Sequence, residues 1–249
     1  MRATLCATRL LPTLRTLSLF QPETQKALFD AMAASYPRVN TLTSLGLCVL
    51  WRRACVTAAR LEPGMQVGDF MAGSGELWPY LTKPLGAESE IVALDFSAVT
   101  CERARTAAVH CSTPTRVLEA DALACSLDDS SLDAVVCGFG IKTLSDPQKT
   151  LFAAELARVL RPGGHLAMIE VSVPTNPLWR FWFLTYLKYV VPLAGQLLLG
   201  DPACYRMLYH YTVAFKNAHS MVAALREAGL QVEKRTLFGG GATLLVGVR

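Results

Sequence analysis

Between Met65 and Val171 short apolar runs alternate with stretches of helical periodicity, and nothing else in the chain narrows the fold as far. The runs are Met65 to Phe70, Ile91 to Leu94, a weaker one at Arg116 to Leu118, Ala134 to Cys137, and His165 to Val171. The clearest intervening helix is Thr150 to Leu160. Its predicted end is Arg161-Pro162-Gly163-Gly164, because proline cannot continue a helix and glycine supplies the turn into the next strand. Strands separated by helices predict a mainly parallel sheet covered on both faces. Residues 24–60 also read as helical, broken at Pro37. With no internal repeat or low-complexity linker, one domain over residues 24–249 is the economical reading.

Net charge is +4 over 249 residues, too weak and scattered for nucleic acid to be a partner. The eight cysteines include no C-x-x-C pair and no cluster with histidine, so reduced thiols are expected, with no metal centre. Residues 1–23 carry Arg2, Arg9 and Arg15, many Thr and Leu, and no acid before Glu23. That composition predicts a mitochondrial targeting leader; an ordinary basic helix is the alternative. The greasiest stretch, 177–200, is long enough to suggest a membrane span. Arg180, Lys188, Pro192 and Gly195 argue instead for a buried helix or a substrate-covering, membrane-touching segment.

The ligand motif is Asp69-Phe70-Met71-Ala72-Gly73-Ser74-Gly75, a strand end running into a small-residue turn. Glycine lacks a Cβ, so such a turn lets backbone approach a ligand closely. The spacing is D-x-x-x-G-x-G, not the G-x-G-x-x-G of a dinucleotide site, and there is no phosphate-loop lysine. A nucleoside without phosphates fits best. Asp95 ends the second strand, twenty-two residues past Gly73, where an acid accepts from ribose hydroxyls. Asp121 follows the third strand and is suited to an exocyclic adenine amine, with the Ala122 backbone N–H facing the ring.

From about Leu28 to Val248 the chain resembles the ubiquinone/menaquinone C-methyltransferases. The resemblance rests on FDAMAASYPRVN, LWRR, the glycine turn, EADAL, LDAVVCGFGIKTLSD, RVLRPGGHLAMIEVSVP, DPACYRML and GGGATLLVGVR. It implies a Rossmann-like class I methyltransferase fold with a mainly parallel seven-stranded sheet and helices on both faces. It also implies S-adenosylmethionine held by Asp69, Gly73, Ser74, Gly75, Asp95, Asp121, Ala122 and Gly138. The implied acceptor is a hydroxylated aromatic head with an isoprenoid tail, the segment near 177–210 covering it. The reaction so implied is C-methylation of a polyprenylated benzoquinol in ubiquinone synthesis. Alternatives are a menaquinone-pathway or other small-molecule methyltransferase, or a non-catalytic assembly factor. A quinone-biosynthesis protein complex, peripheral membrane contact and a homodimer belong to the same implication. So does a mitochondrial matrix location peripheral to the inner membrane, with bacterial cytoplasm as the alternative.

The sequence departs from the family pattern at three places. Met71 and Ala72 stand where smaller residues are usual, Pro37 replaces an aspartate, and Lys142-Thr143 replaces Arg-Asn. The family arginine is thought to assist phenol deprotonation, which assigns Lys142 to that role and Thr143 to holding a water. Tyr36 and His210 are further candidates for the acceptor pocket, Tyr36 also for catalysis, and Glu170, ending the fifth strand, is a candidate for the cofactor edge. A surface lysine and a structural Glu170 are the plain alternatives.

Overall fold

The computed structural model describes residues 20–32, 36–199 and 202–249; all but the last four residues of the predicted leader lie outside these. Three helices come first: α1 (Pro22–Met32), α2 (Tyr36–Thr43) and α3 (Leu47–Ala58). Pro37 marks the predicted break and sits in the first turn of α2, where its missing N–H is harmless. The chain turns again at Leu45 and Gly46, both at positive φ.

Alternation then follows as expected: β1 (Gln66–Phe70), α4 (Trp78–Leu85), β2 (Glu90–Asp95), α5 (Ala98–Ala108), β3 (Thr115–Glu119), β4 (Leu132–Gly138), α6 (Asp146–Val159) and β5 (Leu160–Val171). An apolar stretch comes next: α7 (Pro177–Thr185), a π-turn (Tyr186–Val190), α8 (Val191–Leu199) and α9 (Pro202–Phe215). The chain closes with α10 (His219–Glu227), β6 (Gln231–Leu237) and β7 (Ala242–Val248). The seven strands form one sheet in the order β3-β2-β1-β4-β5-β7-β6. β7 is antiparallel to both its neighbours, and every other pair is parallel.

One expectation is corrected. Arg161-Pro162-Gly163-Gly164 is not a loop between helix and strand, because α6 runs directly into β5. Leu160 pairs with Leu132, and the register then shifts before Ala134 meets His165. Gly163, at φ +81, absorbs the irregularity, while the Gly163 N–H donates to Arg249 O (2.9 Å) and the Arg249 N–H to Gly164 O (3.0 Å). The glycines therefore serve a bulge that the C-terminus pins.

The two sheet faces each carry a core. Phe70, Leu94, Leu132, Phe152, Leu166 and Met168 pack under α6 and α10. Cys55, Val67, Leu81, Ile91, Val136 and Ile169 pack under α3 and α4. A smaller third cluster, Phe183, Leu187, Val191 and Tyr205, belongs to the segment after β5. Among the described residues the cysteines are free thiols, none forms part of a metal-holding group, and no helix is long and apolar enough to cross a membrane.

Candidate active site

Parallel β1, β2 and β4 end side by side, and in open α/β sheets ligands bind beyond such carboxyl ends. After β1 the backbone enters the left-handed region at Met71 (φ +58), Gly73 (φ +58) and Gly75 (φ +92). A Cβ on Gly75 would meet the Trp78 ring at 2.5 Å, so glycine is required there. Met71, the larger residue at the turn, is accommodated by Gly140, whose own Cβ would come within 2.5 Å of the Met71 sulfur.

Asp95 ties the turn to the next helix. Its Oδ2 accepts from the Gly73 N–H (2.9 Å), and its Oδ1 accepts from the Ser97 N–H (3.0 Å) and the Thr100 hydroxyl (2.8 Å). A carboxylate offers about four acceptor positions, so one remains. Burial nevertheless raises its pKa above the ordinary carboxylate value. Gly73, Ser74, Asp95, Gly138 and Thr143 line an 80 Å³ chamber with Glu76, Phe29 and Phe139. Asp121 and Ala122 follow β3 beside Asp95, whose carbonyl accepts from the Ala120 N–H (3.0 Å), but neither lines this chamber. Asp121 is exposed and accepts from the Leu123 N–H (2.9 Å).

Beneath the turn lies a 20 Å³ void lined by Arg52, Asp69, Glu76 and Gly138. Asp69 is buried and its Oδ2 accepts from the Trp78 indole (3.0 Å), whereas its Oδ1 has no partner. Burial, opposed by that bond, pushes Asp69 up to about 8, and burial raises Glu76 as well. Arg52 is buried with its guanidinium 5.5 Å from the Phe139 ring. Among the described residues no carboxylate lies within ion-pair distance of it. A buried lone acceptor and a buried cation beside one void suit the ammonium and carboxylate of an amino acid. The donor set thus fits S-adenosylmethionine. Sequence reasoning missed Arg52 and Glu76, although Arg52 lies inside the LWRR stretch and Glu76 directly follows the glycine turn.

Lys142 is not a surface residue. It sits in a short 3₁₀ turn (Ile141–Thr143) after β4, buried, with Nζ 3.0 Å from Glu170 Oε1 and bonded to the Phe139 carbonyl. The Lys142 N–H donates to Glu170 Oε2 (3.0 Å), so one carboxylate fixes both ends of the residue. Lys142 and Thr143 line a second chamber, of 50 Å³, with Phe29, Phe139, Tyr205 and Tyr211. Gln25 on α1 closes its edge, its side-chain amide donating to the Thr143 carbonyl (2.6 Å). His210 does not face this chamber: it is exposed on α9 with its ring against Tyr209. Tyr205 and Tyr211, both buried on that helix, take the inward positions instead. Tyr36 opens α2, and its side chain lies outside what is described.

A third cavity, of 430 Å³ and almost wholly apolar, adjoins the second through Asn40, Thr43, Val171, Val191 and Leu208. Trp51, Trp179, Phe183, Leu187 and Phe238 wall it. Trp51 contacts both Phe139 and Phe238, and Phe238 contacts Trp179, giving a run of aromatic rings from the floor of the site to α7.

Fold and site together define a nucleoside-binding transferase of the Rossmann-like α/β class. The fold is shared with an S-adenosylmethionine-dependent methyltransferase from Aquifex aeolicus (TM-score 0.58, 20% identity, 79% of this chain and 88% of that one). A cyclopropane synthase from Mycobacterium tuberculosis shares it too (TM-score 0.56, 12% identity, 81% and 84%). Residues 20–248 match the ubiE/COQ5 methyltransferase family, and the chain belongs to it. It is an S-adenosylmethionine-dependent C-methyltransferase. Its relatives include a demethylmenaquinone methyltransferase of Thermus thermophilus, 33% identical over 222 residues (89% of this chain, 100% of the relative). Another of that name, from Clavibacter sepedonicus, is 34% identical over 230 residues (92% and 91%).

Proposed function

We propose that this enzyme methylates a ring carbon of a prenylated hydroquinone, a demethylmenaquinol in preference to the benzoquinol of ubiquinone synthesis. The observation that carries the reading is continuity. Phe139 and Thr143 border both the cofactor chamber and the Lys142 chamber, which in turn shares a wall with the apolar cavity. An acceptor with a polar aromatic head and a long hydrocarbon tail matches that sequence of surfaces. The relatives' names favour the naphthoquinol, and their bacterial sources favour the bacterial cytoplasm over the mitochondrial matrix.

Bound S-adenosylmethionine supplies the methyl group as a sulfonium. In this reading Asp95 takes the ribose hydroxyls, Asp69 and Glu76 face the ammonium, and Arg52 faces the carboxylate. The Gly73–Gly75 turn lets the backbone close on the ligand. A ring carbon becomes nucleophilic when the neighbouring hydroxyl loses its proton, so positive charge near that oxygen favours the reaction. Lys142 Nζ already bonds the Glu170 carboxylate and the Phe139 carbonyl, and in this reading it acts as an electrostatic stabiliser of the phenolate. Thr143 adds a hydroxyl at the junction of the two chambers, and the aromatic wall keeps water from the reacting pair.

The test is turnover of short-tailed demethylated naphthoquinol and benzoquinol, kept reduced, with product read by mass spectrometry as a gain of one CH₂. A higher kcat/KM for the naphthoquinol is expected. Preference for the benzoquinol would move the enzyme to the ubiquinone branch, and cofactor binding without product from either would sink the proposal.

A further inference from the structure

We propose that Asn40 binds the second ring oxygen of the acceptor, the one beside the tail-bearing carbon, and thereby selects hydroquinones over phenols with a single hydroxyl. The proposal rests on the prenylated-hydroquinone reading and adds to it the residue that senses the far side of the ring.

The observation behind it is an unpaired donor at the throat between two chambers. Asn40 lies in α2 and borders both the Lys142 chamber and the apolar cavity. Its side-chain amide nitrogen is buried and has no hydrogen-bond partner among the described residues. Buried amides are paired as a rule, and an exception at a cavity wall points to a ligand that supplies the acceptor. Other polar groups around the chamber are engaged within the protein. The Lys142 ammonium bonds Glu170 and the Phe139 carbonyl, and the Thr143 hydroxyl donates to Gly140 O (2.7 Å). The Gln25 amide donates to Thr143 O (2.6 Å), and Tyr211 bonds the Gln25 side chain in turn. At the throat itself the Thr43 carbonyl accepts from the Tyr186 hydroxyl, while Val171, Val191 and Leu208 present apolar side chains.

The chemistry of the acceptor says which oxygen belongs there. A naphthoquinol with one tail has a single unsubstituted carbon on its hydroxylated ring. That carbon is flanked by the tail-bearing carbon on one side and by a hydroxylated carbon on the other. The flanking hydroxyl faces Lys142, whose charge stabilises the phenolate as the neighbouring carbon attacks. With the tail in the apolar cavity, the remaining oxygen sits beside the root of the tail. The root lies where the head chamber opens into the cavity, at Asn40. An amide N–H there donates to the hydroxyl oxygen. A phenol lacking that oxygen leaves the amide unpaired in the complex, and a site built for a hydroxyl rejects the analogue without it.

The experiment compares wild type and Asn40→Leu on two short-tailed acceptors. One is the naphthoquinol, kept reduced; the other is the matching naphthol, which keeps the hydroxyl beside the reacting carbon and lacks the one beside the tail. Leucine has nearly the shape of asparagine without the donor. Asn40→Leu should lose about 10–100-fold in kcat/KM on the naphthoquinol, mainly through KM, and little on the naphthol. Each acceptor is its own reference, so the difference in ring reactivity cancels. Cofactor affinity should hold, and Tm should stay or rise, because the substitution removes a donor that the free enzyme leaves buried and unpaired. Equal losses on both acceptors, or a clearly lower Tm, would make Asn40 a structural residue and overturn the proposal. An unchanged kcat/KM on the naphthoquinol overturns it as well. A wild type that methylates neither acceptor sinks the hydroquinone reading itself and this assignment with it, so the two failures are told apart.

Discussion

Below the reaction centre the protein is polar, local and tightly bonded; above it the protein is apolar, assembled from distant segments and loosely filled. Asp95 alone accepts three hydrogen bonds from residues within twenty-two positions of it in sequence. The roof instead brings α2, the turn at Leu45, α7 to α9 and Phe238 around a cavity of 430 Å³. The difference matches what each half has to hold. A nucleoside presents fixed donors and acceptors, which reward preorganised partners. A hydrocarbon tail presents none, and room serves it better than directed bonds.

The largest expected effect is at Lys142, where the halves meet. Lys142→Met should lower kcat by about 10²–10³-fold, the usual loss for one electrostatic donor at a developing oxyanion, with cofactor affinity little changed. That variant also strands Glu170, and removing one partner of a buried pair costs about 3–5 kcal/mol of stability. The Lys142→Met, Glu170→Gln double variant should recover stability without activity, and Lys142→Arg should keep much of both by preserving the charge. Full activity in the double variant would make the pair a structural clamp and move the chemistry elsewhere.

Next in size is packing. Leu166→Ala, in the fully buried core under α6 and α10, should cost about 2–5 kcal/mol in urea unfolding. Leu187→Ala should cost about 2 kcal/mol or less, because Leu187 already borders the cavity and little new void is made. Equal losses would show that the roof is packed as tightly as the floor.

The last effect is a pH dependence confined to the floor. Asp69 titrates at 3.8 when free and at about 8 when folded, burial being the main cause. Across that window the unfolded chain has released a proton that the folded chain keeps, so stability falls as pH rises and the full penalty applies above about 8. Burial raises Glu76 and Asp95 too, with the same sign. Asp69→Asn should flatten the fall in Tm between pH 5 and 8 and weaken S-adenosylmethionine binding. An unchanged slope would mean that Asp69 is charged in the folded protein throughout.

The floor was legible in the sequence because its parts are local. A strand, a D-x-x-x-G-x-G turn and an acid one strand later are fixed by short-range geometry, and Gly73, Ser74, Asp95 and Gly138 all reach the chamber. Arg52 arrives from a helix before β1, and no spacing rule links it to Asp69. Lys142 shows the limit from the other side: its position was readable, but its burial depends on Glu170, twenty-eight residues on. Composition marked 177–200 as apolar without dividing it. Leu187 and Tyr189 lie two residues apart, one packed and one in solvent, and the packing of α9 against the π-turn separates them. β6 escaped notice because, as an edge strand, it buries only Val232 fully.

Helix α1 touches both halves. Phe29 walls the cofactor chamber and the Lys142 chamber alike, while Asp30 accepts from the Ser97 hydroxyl (2.5 Å) and Gln25 donates to the Thr143 carbonyl (2.6 Å). One short helix thus borders the polar floor with one bond and the acceptor side with another. A single ring shared by two chambers couples them: truncating Phe29 enlarges both at once, so its effect on the two halves is not separable.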